Sequence, residues 1–198
     1  MLNSTVTHLS SVGKTRTKID INGQEWRTVP SSVVIEVGLT VGVELTRGLL
    51  RRFSKALRYR EAIDHAERLL ARSECSIAHL ESELKRCQVV PEIRQKVITG
   101  LQSSGLLNDD RTACLRAESL ARRGWGNTAI EYRLEMGGYE SGTRRTAIDT
   151  LDPEPLRAQQ ILVQKSRTPA QAARFLTQRG FDIELCRDLL GHEDLSES

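Results

Sequence analysis

Residues 120–151 recur twice more in the same chain, and this constrains the fold more than any single motif. Shifted back by fifty positions, Leu80 falls on Ile130, Leu84 on Leu134, Val89 on Tyr139, Ile98 on Ile148 and Leu101 on Leu151. Shifted forward by forty-two, Leu134 falls on Leu176, Gly138 on Gly180, Tyr139 on Phe181 and Ile148 on Leu190. Self-similarity at such a period marks a repeat architecture. Each copy is too small to bury its own apolar face and must stack on its neighbours.

The joint inside each copy has a physical cause. A helix commonly ends with a left-handed residue, usually Gly, followed by an apolar residue that folds back over the last turn. Gly138 and Tyr139 fill these places behind Leu134, and Gly180 and Phe181 fill them behind Leu176. In the first copy Gln88 stands where Gly is wanted, between Leu84 and Val89, so its stop is expected to carry a steric cost. Leu84, Leu134 and Leu176 are expected at equivalent buried places.

Composition agrees with helices: aromatic residues make up only 4% of the chain, too few for a sandwich or barrel. The charge is uneven. Residues 1–60 carry ten Lys/Arg against four Asp/Glu, whereas residues 61–198 carry nineteen against twenty-two. A basic front half suits an anionic partner. The four cysteines, Cys75, Cys87, Cys114 and Cys186, form no C-x-x-C pair, and the four histidines show no metal-ligand spacing. Free thiols in a reducing cytoplasm are the expectation. No apolar run approaches 18 residues, and no signal-peptide pattern opens the chain.

In chain order, residues 1–14 are Ser/Thr-rich and are expected to be disordered. Residues 15–48 read as a small β-hairpin extension. Thr17 to Ile21 and Glu25 to Val29 alternate about the turn pair Asn22-Gly23, and Pro30 closes the second strand. Ser31 or Ser32 can cap a short helix that ends at Gly38, and residues 39–45 read as extended. Residues 49–107 form the first helical copy, 108–152 the second and 153–193 the third, with a frayed acidic tail at 194–198. The first copy opens with an amphipathic helix, or two joined helices, from Arg47. Its later helices start at Ser76 and Pro91, and it stops at Gly105 with Leu106 folding back on Leu101. Asn108 reads as an N-cap with Asp109 and Asp110 in the first turn, which accounts for that acidic pair without a metal or acid–base role. Trp125, between two glycines, reads as a packing anchor. Thr168-Pro169-Ala170-Gln171 is a capping box with Pro at the first helical position. No phosphate loop, nucleophile elbow or paired His ligands occur, so no catalytic residue, cofactor or metal site is assigned.

Three signatures carry a resemblance. Gly105-Leu106-Leu107-Asn108-Asp109-Asp110 comes first. Arg122-Arg123-Gly124-Trp125-Gly126 with Ile130, Leu134 and Gly138 follows. Arg174-Phe175-Leu176-Thr177-Gln178-Arg179-Gly180-Phe181 comes last. In this order and at these distances they resemble the RecX family, bacterial regulators of the RecA recombinase, over roughly residues 55–193. The resemblance implies a mainly α fold of three tandem three-helix, helix-turn-helix-like repeats in an elongated curved array. It implies binding along the RecA–DNA filament and restraint of ATP hydrolysis, strand exchange and co-protease activity. The β element resembles an extension that some members carry. Two positions depart from the pattern. Thr112 stands where an aromatic usually follows the acidic pair, and Gly137 where a basic residue commonly precedes the Gly.

A monomer that meets a filament, and single-stranded DNA weakly without sequence preference, needs basic groups spread along its length. The candidates are Arg51, Arg52, Lys55 and Arg58 in the opening helix, Lys85 and Arg86 further along the first copy, Arg122, Arg123, Arg144 and Arg145 in the second copy, and Arg174 and Arg179 in the third. Arg122 and Arg123 stand out, beside a Gly-rich joint. The alternatives are a helix-turn-helix transcription factor and a scaffold that binds only protein. Against the former, the helix opened by Asp182-Ile183-Glu184 is not basic, and a recognition site lies on one helix.

Overall fold

The computed structural model describes residues 4–163 and 168–190. Among these, three strands precede ten helices: β1 Val6–Val12, β2 Arg16–Ile21, β3 Gln24–Pro30, α1 Ser31–Val37, α2 Arg47–Leu70, α3 Ile77–Arg86, α4 Pro91–Ser103, α5 Asp109–Arg122, α6 Asn127–Met136, α7 Ser141–Asp149, α8 Glu154–Val163, α9 Pro169–Gln178 and α10 Ile183–Leu190. Contacts divide the chain into two units, Met1–Arg72 with Leu84–Gly100, and Ser73–Glu83 with Leu101–Ser198.

In the first unit an antiparallel sheet runs in the order β1-β2-β3. Asn22 (φ 50°) and Gly23 (φ 80°) make the tight turn, since a two-residue hairpin loop of this kind needs positive φ at both places. The expected disorder of residues 1–14 does not hold where the chain is described. β1 pairs with β2 from Val6↔Ile21 to Val12↔Arg16, and Val6 is fully buried. Composition misses this because the strand needs only Val6, with Leu9 half-buried beside it, to reach the core. Its remaining stability comes from the ladder and from bonds such as Val6 N to Val43 O at 3.0 Å. The element is therefore a three-stranded sheet, not a hairpin. It is also not a separate extension, because Val6, Ile19 and Val29 share one core with Val33, Phe53 and Leu57. Residues 39–45 form no strand and contribute one bridge, Thr5↔Glu44. Neither serine caps α1. Pro30 holds the N-cap place, and Ser31 Oγ lies 2.8 Å from Thr17 Oγ1 instead.

α2 is a single helix of 24 residues, capped by Thr46 accepting from Leu49 N. It buries Phe53, Ala56, Leu57, Ala62 and Ala66 along one stripe. In the same unit Gln88 takes φ 58° at the end of α3, and Val89 N donates to Leu84 O at 3.0 Å.

In the second unit the same bonds recur on glycines. Tyr139 N donates to Leu134 O after Gly138 (φ 79°), and Phe181 N donates to Leu176 O after Gly180 (φ 74°). Leu84, Leu134 and Leu176 have no exposed surface. The end of α4 differs from expectation. Leu107 N, not Leu106 N, reaches Leu101 O; Leu107 is buried and Leu106 is 54% exposed. The turn is one residue wider, so the apolar fold-back falls one residue later. Asn108 Oδ1 accepts from Arg111 N, as an N-cap does, and the capping box at Thr168 and Gln171 is formed. The tail from Gly191 lies outside the described residues.

Candidate partner-binding surface

The second unit is assembled by backbone-to-backbone docking of helix ends. A Cβ on Gly138 would lie 2.5 Å from Ala78 Cβ, and one on Gly180 would lie 2.5 Å from Ala129 Cβ. Gly126 N donates to Arg179 O at 2.9 Å, and Ser76 Oγ donates to Gly137 O at 2.5 Å. The start of α3 thus abuts the end of α6, and the start of α6 abuts the end of α9. An acid completes each joint. Asp109 Oδ1 accepts from Ile77 N at 2.8 Å, and Glu154 Oε1 accepts from Asn127 N at 2.6 Å. Burial pushes the Asp109 carboxyl above its ordinary range, partly offset by that hydrogen bond. Asp110 accepts from Thr143 Oγ1 at 2.9 Å. Among the described residues no group of three His, Cys, Asp or Glu could hold a metal.

The structure sorts the candidate basic residues into two kinds. Arg144 and Arg179 are built into the joints. Arg144 is 15% exposed, donates to Tyr139 O at 2.9 Å and lies 4.0 and 3.9 Å from Glu131 and Glu135. Arg179 donates to Arg123 O at 3.1 Å, and its guanidinium carbon stands 4.6 Å from the centre of the Trp125 ring. Arg133 stands 3.6 Å from the same centre, so Trp125 is packed beneath two guanidinium groups.

The others are exposed: Arg51, Arg52, Lys55, Arg58, Lys85, Arg86, Arg122, Arg123, Arg145 and Arg174. Lys55 Nζ is paired with Glu92 at 2.6 Å, and this bond holds the Glu92 carboxyl below its ordinary range. Arg122 approaches Glu118 only to 4.0 Å, a surface pair worth about 0–1 kcal/mol. Arg51, Lys55 and Arg58 line one face of α2 with Ser54. Arg123 and Arg179 meet at the α5–α6 joint, whereas Arg145 and Arg174 share no described contact with the rest.

Several arginines that sequence reasoning passed over do structural or surface work. Arg157 is buried and donates to Trp125 O at 3.0 Å, to Asp152 O at 2.9 Å and to Asn127 Oδ1. Burial lowers its pKa, and Glu154 and Asp152 work against that. Arg94 donates to Val89 O at 2.8 Å, matching Arg144 on Tyr139 O. Both stand five residues after the fold-back residue, a spacing the sequence displays. Arg16, Arg27 and Arg68 join Arg58 around a groove in the first unit. They come from β2, β3 and α2, and no periodicity connects those segments.

This is a mainly helical protein whose helix ends dock through glycines and whose surface carries arginines on both units, and its fold is a known one. A crystal structure of regulatory protein RecX superposes with TM-score 0.77 at 16% identity, covering 96% of this chain and all of that one. The crystal structure of RecX from Lactobacillus salivarius gives 0.59 at 14% identity, covering 67% of this chain and 94% of that one. No protein-family profile matches the chain. Regulatory protein RecX of Chromohalobacter salexigens is 31% identical over 137 residues, 65% of this chain and 90% of that protein. The chain belongs to the RecX family of regulatory proteins.

Proposed function

We propose that the chain is a non-enzymatic regulator of a RecA recombinase, which it restrains by lying along the RecA–DNA filament in the cytoplasm as a monomer. The observation that carries the reading is the likeness to regulatory protein RecX over nine-tenths of that protein's length. The arginines support it: Arg51 and Arg58 on one unit, and Arg122, Arg123, Arg145 and Arg174 on the other, stand exposed on separate elements. A filament lined with phosphates and carboxylates is met by many such forks, each gripping at two points. In this reading α2–α4, α5–α7 and α8–α10 are three tandem units, each with a matched turn between its second and third helices, after Leu84, Leu134 and Leu176. Among the described joints, Gly138 meets Ala78 and Gly180 meets Ala129.

The transcription-factor alternative gains nothing from these contacts, because Arg144, one of the two basic residues of α7, is spent on Tyr139 O. The test is DNA-dependent ATP hydrolysis by the cognate RecA, with this chain added at equimolar or lower ratios. Hydrolysis should slow, as should strand exchange and co-protease activity, and the chain alone should show no turnover. Arg122→Glu with Arg123→Glu should weaken filament binding at least about tenfold, ~1.4 kcal/mol, without unfolding. Undiminished hydrolysis together with no retention on RecA filaments would reject the proposal.

A further inference from the structure

We propose that the groove between β2–β3 and α2 is a docking site for a single nucleic-acid strand. The inference deepens the reading above, and rests on it only in choosing a nucleic acid over another polyanion. Arg16, Arg27, Arg58 and Arg68 line a groove of about 600 Å³ whose acids are Glu61 and Asp64. Asp64 is already paired with Arg60, one turn away on α2. Neither Arg58 nor Arg68 forms an ion pair among the described residues. Arg16 is oriented at the rim by donating to Thr28 O at 2.8 Å. The register of β2 with β3 shifts between Ile19 and Asp20, where Trp26 is the extra residue. Through this irregularity two successive residues reach α2: Trp26 packs against Phe53 with ring centroids 5.2 Å apart and planes tilted by 38°, and Arg27, beside it, lines the groove.

Spacing decides the occupant. Arg58 and Arg68 are ten residues apart, ~15 Å along the helix axis. An isolated phosphate could satisfy one end only. A nucleic-acid strand carries a charge about every 3.4 Å of duplex axis, so several phosphates fall within that length. Trp26 adds a second feature. It is 36% exposed, and the Arg27 guanidinium carbon stands 5.7 Å from its ring centre. An aromatic face beside a basic track is how single strands are held without sequence preference, by stacking bases.

The experiment uses the full chain, no recombinase and a fluorescein-labelled oligothymidylate of about 15 nucleotides, near the upper site size of such platforms. Anisotropy at low salt should report binding that Arg27→Glu with Arg58→Glu weakens at least about tenfold, with the salt slope falling by about 1.4, or ~0.7 per lost phosphate contact. Arg116→Glu, exposed on the other unit, should change nothing. Arg58→Gln with Arg68→Gln keeps the test open if charge reversal disturbs folding, because both side chains are exposed. In a Trp125→Phe background, the strand should quench Trp26 fluorescence. Unchanged affinity in folded variants overturns the proposal. So does equal competition by poly-glutamate, or tighter binding of duplex than of single strand. Strand binding through the groove without any effect on RecA hydrolysis would break the regulatory reading and leave the groove standing. Restrained hydrolysis with a groove that binds no strand would do the reverse.

Discussion

The turn after α3 and the turn after α6 make the same hydrogen bonds with different residues at the left-handed position. After α3 it is Gln88 at φ 58°, exposed; after α6 it is Gly138 at φ 79°, pressed against Ala78. Gln88 N donates to Lys85 O at 2.9 Å, and Gly138 N donates to Glu135 O at 2.8 Å. A left-handed helix stop therefore does not require glycine; it costs a side-chain residue about 1–2 kcal/mol. What requires glycine is the neighbour. Where another helix start sits on the turn, no Cβ fits. The missing side chain at Gly138 and Gly180 reports docking as much as backbone freedom.

The largest expected effect tests the shared part of the two turns. Leu134→Ala and Leu84→Ala should each cost ~2–5 kcal/mol in chemical denaturation, because both leucines are fully buried. A variant that melts within error of the parent would show that its leucine does not anchor the turn. Gly138→Ala comes next, and sets the two turns apart. Left-handed strain of ~1–2 kcal/mol adds to an overlap 2.5 Å from Ala78 Cβ, and overpacking adds ~1–3 kcal/mol more. A loss below about 1 kcal/mol would mean that the α3–α6 joint yields freely. Ser76→Ala, which removes the hydroxyl from Gly137 O and from His79 N, should cost ~1–2 kcal/mol by the same melt. Gln88→Gly should instead stabilise, by ~0.5–1 kcal/mol, since it relieves strain at an exposed turn and is offset by the greater freedom of glycine in the unfolded chain. A destabilised Gln88→Gly protein would mean the side chain makes contacts that outweigh the strain.

The smallest effect concerns pH. Burial raises the folded-state pKa of Asp109. Between the ordinary carboxylate value and that raised one, the native protein holds the extra proton, so this group's contribution to stability falls as pH rises through the window. Asp109→Asn keeps an acceptor for Ile77 N and removes the titration. Its stability should match the parent below the window and equal or exceed it at neutral pH. The reverse order would show that the charge is favoured where it lies.

The arginine pattern shows where reading the chain succeeds and where it stops. Counting basic residues located the exposed run on α2, because a helix face lacking acids is a local property. It also drew in Arg144 and Arg179, which are consumed by carbonyls and by Trp125. The sequence does not show whether a guanidinium has a carbonyl within reach, since its acceptor can lie fifty-six residues away, as Arg123 O does from Arg179. The Arg16–Arg27–Arg58–Arg68 groove leaves no mark in the sequence for the same reason: three elements build it, and no local spacing links them.

By itself the sequence determined the helices, their left-handed stops and the hairpin at Asn22-Gly23. Each depends on residues within a few positions of one another, where backbone sterics and amphipathic spacing decide. It also carried the family, through three signatures in order. Tertiary structure alone decided that β1 joins the sheet and packs Val6 and Leu9 on the core, that Leu107 rather than Leu106 turns inward, and that Asp109 and Glu154 complete the helix starts of α3 and α6. It decided, too, which arginines remain exposed. Those outcomes depend on hydrogen-bond partners and close contacts supplied from distant parts of the chain, and local preference holds no information about a partner that only folding brings near.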